Sequence, residues 1–295
     1  MEWLTRFPHM DDDTLRALKK AIDEGFRAFT RAYGDAIESF FDPLQSFLIH
    51  AERFMTQTPW PIILLLIAAI AWLTSRNWKI VVGCIVTLAL IGYFDMWDDT
   101  MKTISMIFVC AVLSIVIGIP IGILMARSDR LQSIVNPILD VMQTMPSFVY
   151  LIPVVMLLGI GRVPGLIAVV IYAIPPVIRL TNLGIRLVDK DVLEAADAFG
   201  SSAWQRLVDV QMPLALPTIM AGVNQTIMMS LAMVVIAAMI GVPGLGQPVL
   251  KAIANQYFTL GVFNGLAIVG IAAIFDRVSQ AYGKRLQKHA EVVHG

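Results

Sequence analysis

A polar island runs from Glu194-Ala-Ala-Asp-Ala-Phe-Gly200 to Val210-Gln-Met-Pro213, between two long apolar segments, and its residue types suit docking rather than covalent chemistry. The small side chains of Ala195 and Ala196 let a short helix beside Glu194 lie flush in a cleft. Gly200 lets the backbone turn sharply before a second short helix. Val210 supplies a hydrophobic position, and Pro213 is expected to stop the second piece before a membrane helix begins. Reactive groups are otherwise poorly supplied. The Gly283-Lys284 pair precedes Arg285 and lacks the earlier glycine of a phosphate-binding loop, and there is no Gly-x-Ser-x-Gly elbow, His-Glu-x-x-His helix or carboxylate pair within a span. The chain is therefore expected neither to act as an enzyme nor to bind ATP, a cofactor or a metal ion itself.

A second set of residues, inside the apolar stretches, has the chemistry to meet a solute. Pro146 and Pro153, then Pro175 and Pro176, interrupt apolar helices. A kinked helix exposes backbone carbonyls to a cavity, and such breaks border transport pathways, although packing accounts for them equally. Phe148, Tyr150 and Tyr172 lie beside the breaks and offer aromatic faces to a passing cation. Asn224 and Gln225 are the main polar interruption of a span, and an interhelical hydrogen bond explains them more readily than a solute contact. Gly241-Val-Pro-Gly-Leu-Gly-Gln-Pro248 is too rich in glycine and proline to continue a helix. Gly241, Pro243, Gly244 and Gly246 thus mark either an ordinary outer loop or a re-entrant outer gate.

These candidates sit in a chain of 295 residues that is 57% hydrophobic and 15% charged, with a mean hydropathy of +0.74. That composition is too apolar for a soluble globular protein of this length and implies an all-α integral membrane protein. A formal net charge of +0 leaves no basic surplus for nucleic acid. Cys84 and Cys110 fall inside apolar spans as packing residues, without a disulfide role. His9, His50, His289 and His294 have no ligand spacing, so a metal site lacks support. Met1 to Met10 has no apolar core of the kind a cleaved signal peptide needs.

Hydrophobic spacing sets out the elements that must position the island. From Thr14 to Leu48 apolar residues recur every three or four positions, which predicts an amphipathic helix or helix pair that Gly25, Gly34 and Pro43 can bend or break. This arm, residues 1–58, is expected at the interface or outside the membrane. Two peripheral spans follow within 59–98, from Trp60 to Thr74 and from Trp78 to Phe94. Trp60, Trp72, Trp78 and Trp97 lie near their ends, where indoles favour the headgroup region. A core at 99–282 holds spans from Met101 to Met125, Ser147 to Ile160, Val163 to Leu187, Pro217 to Ile240 and Gly261 to Ala281, with an amphipathic piece from Ile134 to Met142 and the island within 188–216. A tail occupies 283–295. The count is about seven spans.

Basic residues set the orientation. Arg76 and Lys79, Arg127 and Arg130, Arg186, Lys190 and Arg206, and Lys284, Arg285 and Lys288 fall in one set of loops, which should be cytoplasmic; Asp95, Asp98 and Asp99 fall in the other. Seven spans then leave the N-terminus outside, the C-terminus inside and the island in the cytoplasm. The span centres carry no ionisable residue of the kind an ion-coupled transporter or proton pump uses. Arg179, Arg186 and Asp276 lie toward the cytoplasmic ends.

The spacing of Glu194, Ala195, Ala196, Gly200, Val210 and Pro213 resembles the E-A-A-x3-G-x9-I-x-L-P loop of ABC importer permeases, with Val210 and Met212 replacing the usual Ile and Leu. Leu139 to Pro153, Ile171 to Thr181 and Gly241 to Gly246 extend the likeness to the permeases of quaternary-amine importers for glycine betaine, proline betaine or choline, and the whole chain looks most like the choline branch. The resemblance covers roughly Asp99 to Gln280. It implies an inner-membrane, multi-pass homodimer in which each copy docks one ATPase subunit, carrying ATP and Mg, through Glu194 to Pro213. A separate extracytoplasmic binding protein would deliver the solute, and ATP binding would rotate the helices to open an outward path. An ATP-independent facilitator or osmotically gated channel, which would carry solute alone, and a secondary transporter, which would follow an ion gradient, are the competing readings.

Overall fold

The structure, a computed structural model, describes residues 9–294, apart from the side chains of Asp35, Glu38, Lys284 and residues 286–294. Met1–Pro8, most of the stretch weighed as a signal peptide, lies outside it. Among the described residues every regular element is helical.

The arm forms one helix, α1, Asp12–Gln57, with Pro43 inside it, so Gly25, Gly34 and Pro43 do not break it. Its second half is not a free scaffold. Leu48 is buried in the main core, and Glu52 pairs with Arg162 at 2.8 Å. The chain then bends by 109° into α2, Trp60–Ser75. Arg76 caps α2 in the left-handed region, Asn77 accepts from Lys79 N, and α3, Trp78–Tyr93, returns.

Helix α4, Trp97–Arg127, holds the centre, and Ser128 caps the amphipathic α5, Asp129–Thr144. A 100° bend at Pro146 leads to α6, Ser147–Leu158. The twelve residues of α6 rise only about 18 Å, short of the ~30 Å of hydrocarbon, so α6 is too short to be the separate span expected and is long and apolar enough only together with α5, across the bend. The next span is continuous over Arg162–Arg186, as α7, Arg162–Ala173, and α8, Pro175–Arg186. Pro175 and Pro176 open α8 after the break at Ile174, so they interrupt the helix as expected while the span expected from Val163 to Leu187 stays one.

After α8 come α9, Lys190–Ala198, the single turn α10, Ala203–Gln205, a π-helical turn, Arg206–Gln211, and α11, Met212–Ala237. Pro213 does not stop the piece before it. It follows the π turn, whose shifted bond from Met212 N to Leu207 O carries the backbone into α11, and Ala203–Ile240 runs as one 38-residue helix. Then α12, Gly246–Asn255, precedes α13, Phe258–His294, which carries the tail on as helix. Among the described residues four helices are long and apolar enough to cross a membrane, with the two bent pairs and the shorter α3 beside them.

Close packing unites the centre. A Cβ on Gly118 would lie 2.4 Å from Val177 Cγ1, and one on Gly122 would lie 2.6 Å from Thr181 Cβ, so α4 presses directly on α8. On the other side of α8, Gly184 meets Thr218 and Ala215, and Gly222 meets Leu180 and Val177. Small residues at helix crossings let backbones approach and dispersion act over many atoms. Helix α8 is thereby clasped between α4 and α11.

Candidate functional site

The island folds as two pieces joined at a tight corner. Asp189 caps α9 by accepting from Asp191 N at 2.9 Å. At its other end Gly200 takes φ +81°, Gly200 N donates to Asp197 O at 2.9 Å, and Ser201 N donates to Ala196 O at 3.1 Å. This pair of bonds closes the last carbonyls of the helix and needs a residue that adopts left-handed backbone without strain. Ser202 opens the next piece through a reciprocal cap with Gln205.

Side chains then lock the corner. Arg206 Nη1 donates to Asp197 Oδ1 at 2.8 Å and Oδ2 at 2.6 Å, tying α9 to the π turn. Arg127 Nη2, at the end of α4, donates to Ala203 O at 3.2 Å. Arg186 donates to Met125 O at 2.9 Å and pairs with Asp129 at 2.7 Å, joining the ends of α8 and α4 to the start of α5. In the π turn, Met212 N donates to Leu207 O, five residues back. Leu207 is buried with Ile185, Ala215 and Ile219, so the island grips the ends of α8 and α11 through an apolar cluster.

What remains outward is a surface. Glu194, Ala195, Gly200 and Pro213 are exposed, Ala196 and Val210 are half-buried, and α9 buries no residue. Phe199 is 93% exposed and Trp204 67% exposed beside them. The spacing singles out Ala195, Ala196 and Gly200 but not these two aromatics. Two large rings in a polar stretch with no apolar periodicity to absorb them were the signal available.

The proposed path residues do not converge. Tyr150 is buried, donates its hydroxyl to Met142 O and meets Tyr172 edge to face with ring centroids 5.9 Å apart. Phe148 is exposed on the other side of α6. Asn224 links α11 to α13 by donating to Asp276 Oδ1 at 3.3 Å and accepting from Ser279, while Gln225 is exposed. The outer segment is folded inward rather than forming an exposed loop: Val242 and Leu245 are buried, and Leu245 N donates to Thr103 Oγ1 at 2.9 Å. Gly241 and Gly244 have φ +84° and +132°, a Cβ on Gly244 would lie 2.4 Å from Thr103 Oγ1, Gly246 lies against Val235 and Ala238, and Pro243 is half-buried. Cys84 and Cys110 are both free and buried.

The chain matches the family model described as binding-protein-dependent transport system inner membrane component over residues 118–288. It is 48% identical over 229 residues to the glycine betaine/carnitine transport permease protein GbuB of Listeria monocytogenes serotype 1/2a, covering 77% of this chain and 81% of that protein. It is 42% identical over 293 residues to the glycine betaine/proline betaine transport system permease protein ProW of Escherichia coli K12, covering 96% of this chain and 82% of that one. Among solved structures, the inward-facing MetNI methionine ABC transporter shares the fold, at a TM-score of 0.57 and 20% identity over 63% of this chain and 93% of that chain. The matched region runs from the second half of α4 through the clasped α8, the island and α11 into α13, and the chain belongs to the binding-protein-dependent transport system inner membrane components, the permeases of ABC importers.

Proposed function

We propose that this chain is the multi-pass membrane subunit of an ATP-driven importer for glycine betaine or a related quaternary ammonium solute, and that it docks its ATPase through Glu194, Ala195, Ala196, Phe199 and Gly200. The exposed face of α9, ending in a 93% exposed phenylalanine at a fixed corner, carries the reading. A partner that covers it would gain a buried aromatic anchor and a helix surface small enough to enter a cleft. Neither relative named above carries choline in its name, and both carry glycine betaine, so glycine betaine stands ahead of choline as the solute.

The island's grip on the membrane helices supports a coupling route. Leu207, Arg206 and Arg127 hold the docking corner to α11, α9 and α4, and the glycine contacts hold α8 between α4 and α11. A displacement of α9 by an ATPase would therefore move α8 and α11 as one body. Val210 and Pro213 act inside that body, in the π turn and the first turn of α11. Motion would reach the buried segment at Gly241, Pro243, Gly244 and Gly246, which we assign as the gate on the opposite side. Phe148, Tyr150, Tyr172, Asn224 and Gln225 remain candidates for solute contact along the way.

In this reading the basic loops, the island and the C-terminus face the cytoplasm and the N-terminus lies outside. ATP and Mg sit on the partner, an extracytoplasmic binding protein delivers the solute, and a second copy completes the pathway. Co-purification from native membranes tests it. An ATPase subunit should come with the parent chain and not with Gly200→Pro, and reconstituted chain alone should carry no glycine betaine. Flux from the isolated chain would instead establish the facilitator.

A further inference from the structure

The turn between α2 and α3 and the flank of α13 enclose a basic pocket that transport coupling leaves unused. Ser75, Arg76, Asn77, Arg277, Gln280 and Arg285 line a cavity of about 490 Å3. Arg76 projects from a left-handed position at φ 50°, and Arg285 Nη1 donates to Leu73 O at 2.8 Å, fixing one wall. Among the described residues no carboxylate pairs with Arg76, Lys79, Arg277 or Arg285. The nearest acid in sequence, Asp276, is held by Asn224 and Gln280. Three arginines thus line one cavity with no counter-ion among the described residues.

The pocket continues into a groove. Ile80 and Arg277 also line a second cavity of about 330 Å3 that follows α3 and α13 past Gly83, Cys84 and Ala273 to Thr87. There it closes, because a Cβ on Gly270 would lie 2.7 Å from Thr87 Cγ2. At Gly83 it is open, since a Cβ there meets nothing within 4 Å. Trp72 and Trp78 stand exposed beside the basic end, edge to face with centroids 6.1 Å apart. Exposed indoles mark the headgroup level, so the cations lie at the phosphate depth and the groove lies in hydrocarbon.

We propose that this cleft binds one anionic phospholipid, with its phosphate among Arg76, Arg277 and Arg285 and an acyl chain along the groove between α3 and α13. Basic pockets between membrane helices attract anionic headgroups, and a zwitterionic lipid would set its own ammonium group against the same arginines. The apolar extension distinguishes a lipid from free phosphate. No residue of the docking corner takes part, so the fate of this site is separate from that of the transport reading.

Native mass spectrometry of the full chain tests it, after release from nanodiscs containing equal phosphatidylglycerol and phosphatidylcholine. One phosphatidylglycerol should stay bound under activation that strips phosphatidylcholine, and excess inorganic phosphate should not displace it. Loss of two basic contacts in the Arg76→Gln/Arg277→Gln variant should lower its retention roughly thirtyfold. Gly83→Phe, which fills the groove and leaves every charge, should lower it as well. Equal retention of the two lipids by the parent chain would overturn the proposal without recourse to any variant. So would unchanged retention by the double variant. Displacement by inorganic phosphate, with Gly83→Phe unaffected, would make it a simple anion site and also overturn it.

Discussion

A single nitrogen of Arg206, Nη1, reaches both carboxylate oxygens of Asp197, at 2.8 and 2.6 Å, and so pins the end of α9 to the π turn that opens the longest membrane helix. The pair is partly solvated, and its contribution to stability should be no more than about 1 kcal/mol. Its value lies in orientation. Asp197→Ala is expected to leave insertion and thermal stability of the permease nearly unchanged while lowering uptake by the assembled importer several-fold. Exchange of the two residues, Asp197→Arg with Arg206→Asp, should recover part of the loss, and failure to do so would mean that the pair does not orient the corner.

Gly200 separates backbone from side-chain effects. A Cβ there meets nothing within 4 Å, yet φ is +81°. The penalty for another residue is therefore conformational, about 1 kcal/mol for alanine and more for a β-branched residue. Asparagine tolerates left-handed backbone. ATPase retention should rank Gly200 above Asn, Asn above Ala, and Ala above Val; equal retention across the series would show that the turn does not matter to docking.

Phe199 touches little of its own chain, so Phe199→Ala should leave the melting temperature of the purified permease in place. If the ring is a central anchor, its loss should weaken ATPase binding by about 2 kcal/mol or more, roughly thirtyfold in Kd. Affinity of the detergent-solubilised chain for its ATPase measures this, and a change under about threefold would remove Phe199 from the interface.

The clasp around α8 makes an independent prediction about stability. Gly122→Ala would place a methyl group 2.6 Å from Thr181 Cβ and 2.7 Å from Ile178 O, and backbone cannot retreat as a flexible side chain can. Overpacking of this kind costs about 1–3 kcal/mol. Gly265→Ala is the control, since nothing lies within 4 Å of the added carbon. Thermal unfolding should separate the two variants by a clear drop in Tm for Gly122→Ala alone.

The buried part of the arm can be tested through Glu52. Its pairing with Arg162 at 2.8 Å joins α1 to the start of α7, and Glu52 is the more buried partner. Glu52→Gln should cost about 1–2 kcal/mol, between the values for exposed and fully buried pairs. Limited proteolysis should then release the arm sooner, with the core digested at an unchanged rate.

Hydrophobic spacing placed most helices to within a few residues, because a membrane span must be long and apolar and the turns between α2 and α3 carry their own cap residues. Two expectations differ from the structure for identifiable physical reasons. Pro213 is expected to end the second piece of the island, but the π turn before it runs straight into α11. Ser147 to Ile160 is apolar enough to read as a span, but only twelve of its residues are helical, too few to cross alone. Of the two arrangements the spacing allows for the arm, one helix or a helix pair, α1 is the single helix, with Leu44, Leu48, Ala51 and Met55 packed on the core. In the island, glycine and alanine spacing found the corner. The Arg206 to Asp197 clamp and the buried Leu207 depend on a π turn that no spacing rule anticipates.

The unbroken run Ala203–Ile240 has 38 residues and measures about 57 Å, nearly twice the ~30 Å of hydrocarbon it crosses. A rigid rod of that length gears small angles into large strokes. Pivoting about one end by about 10° sweeps the other through about 10 Å, comparable to the width of a helix. A modest tilt imposed at one end of the run therefore displaces the other by about the width of a helix, with no bond along the rod made or broken.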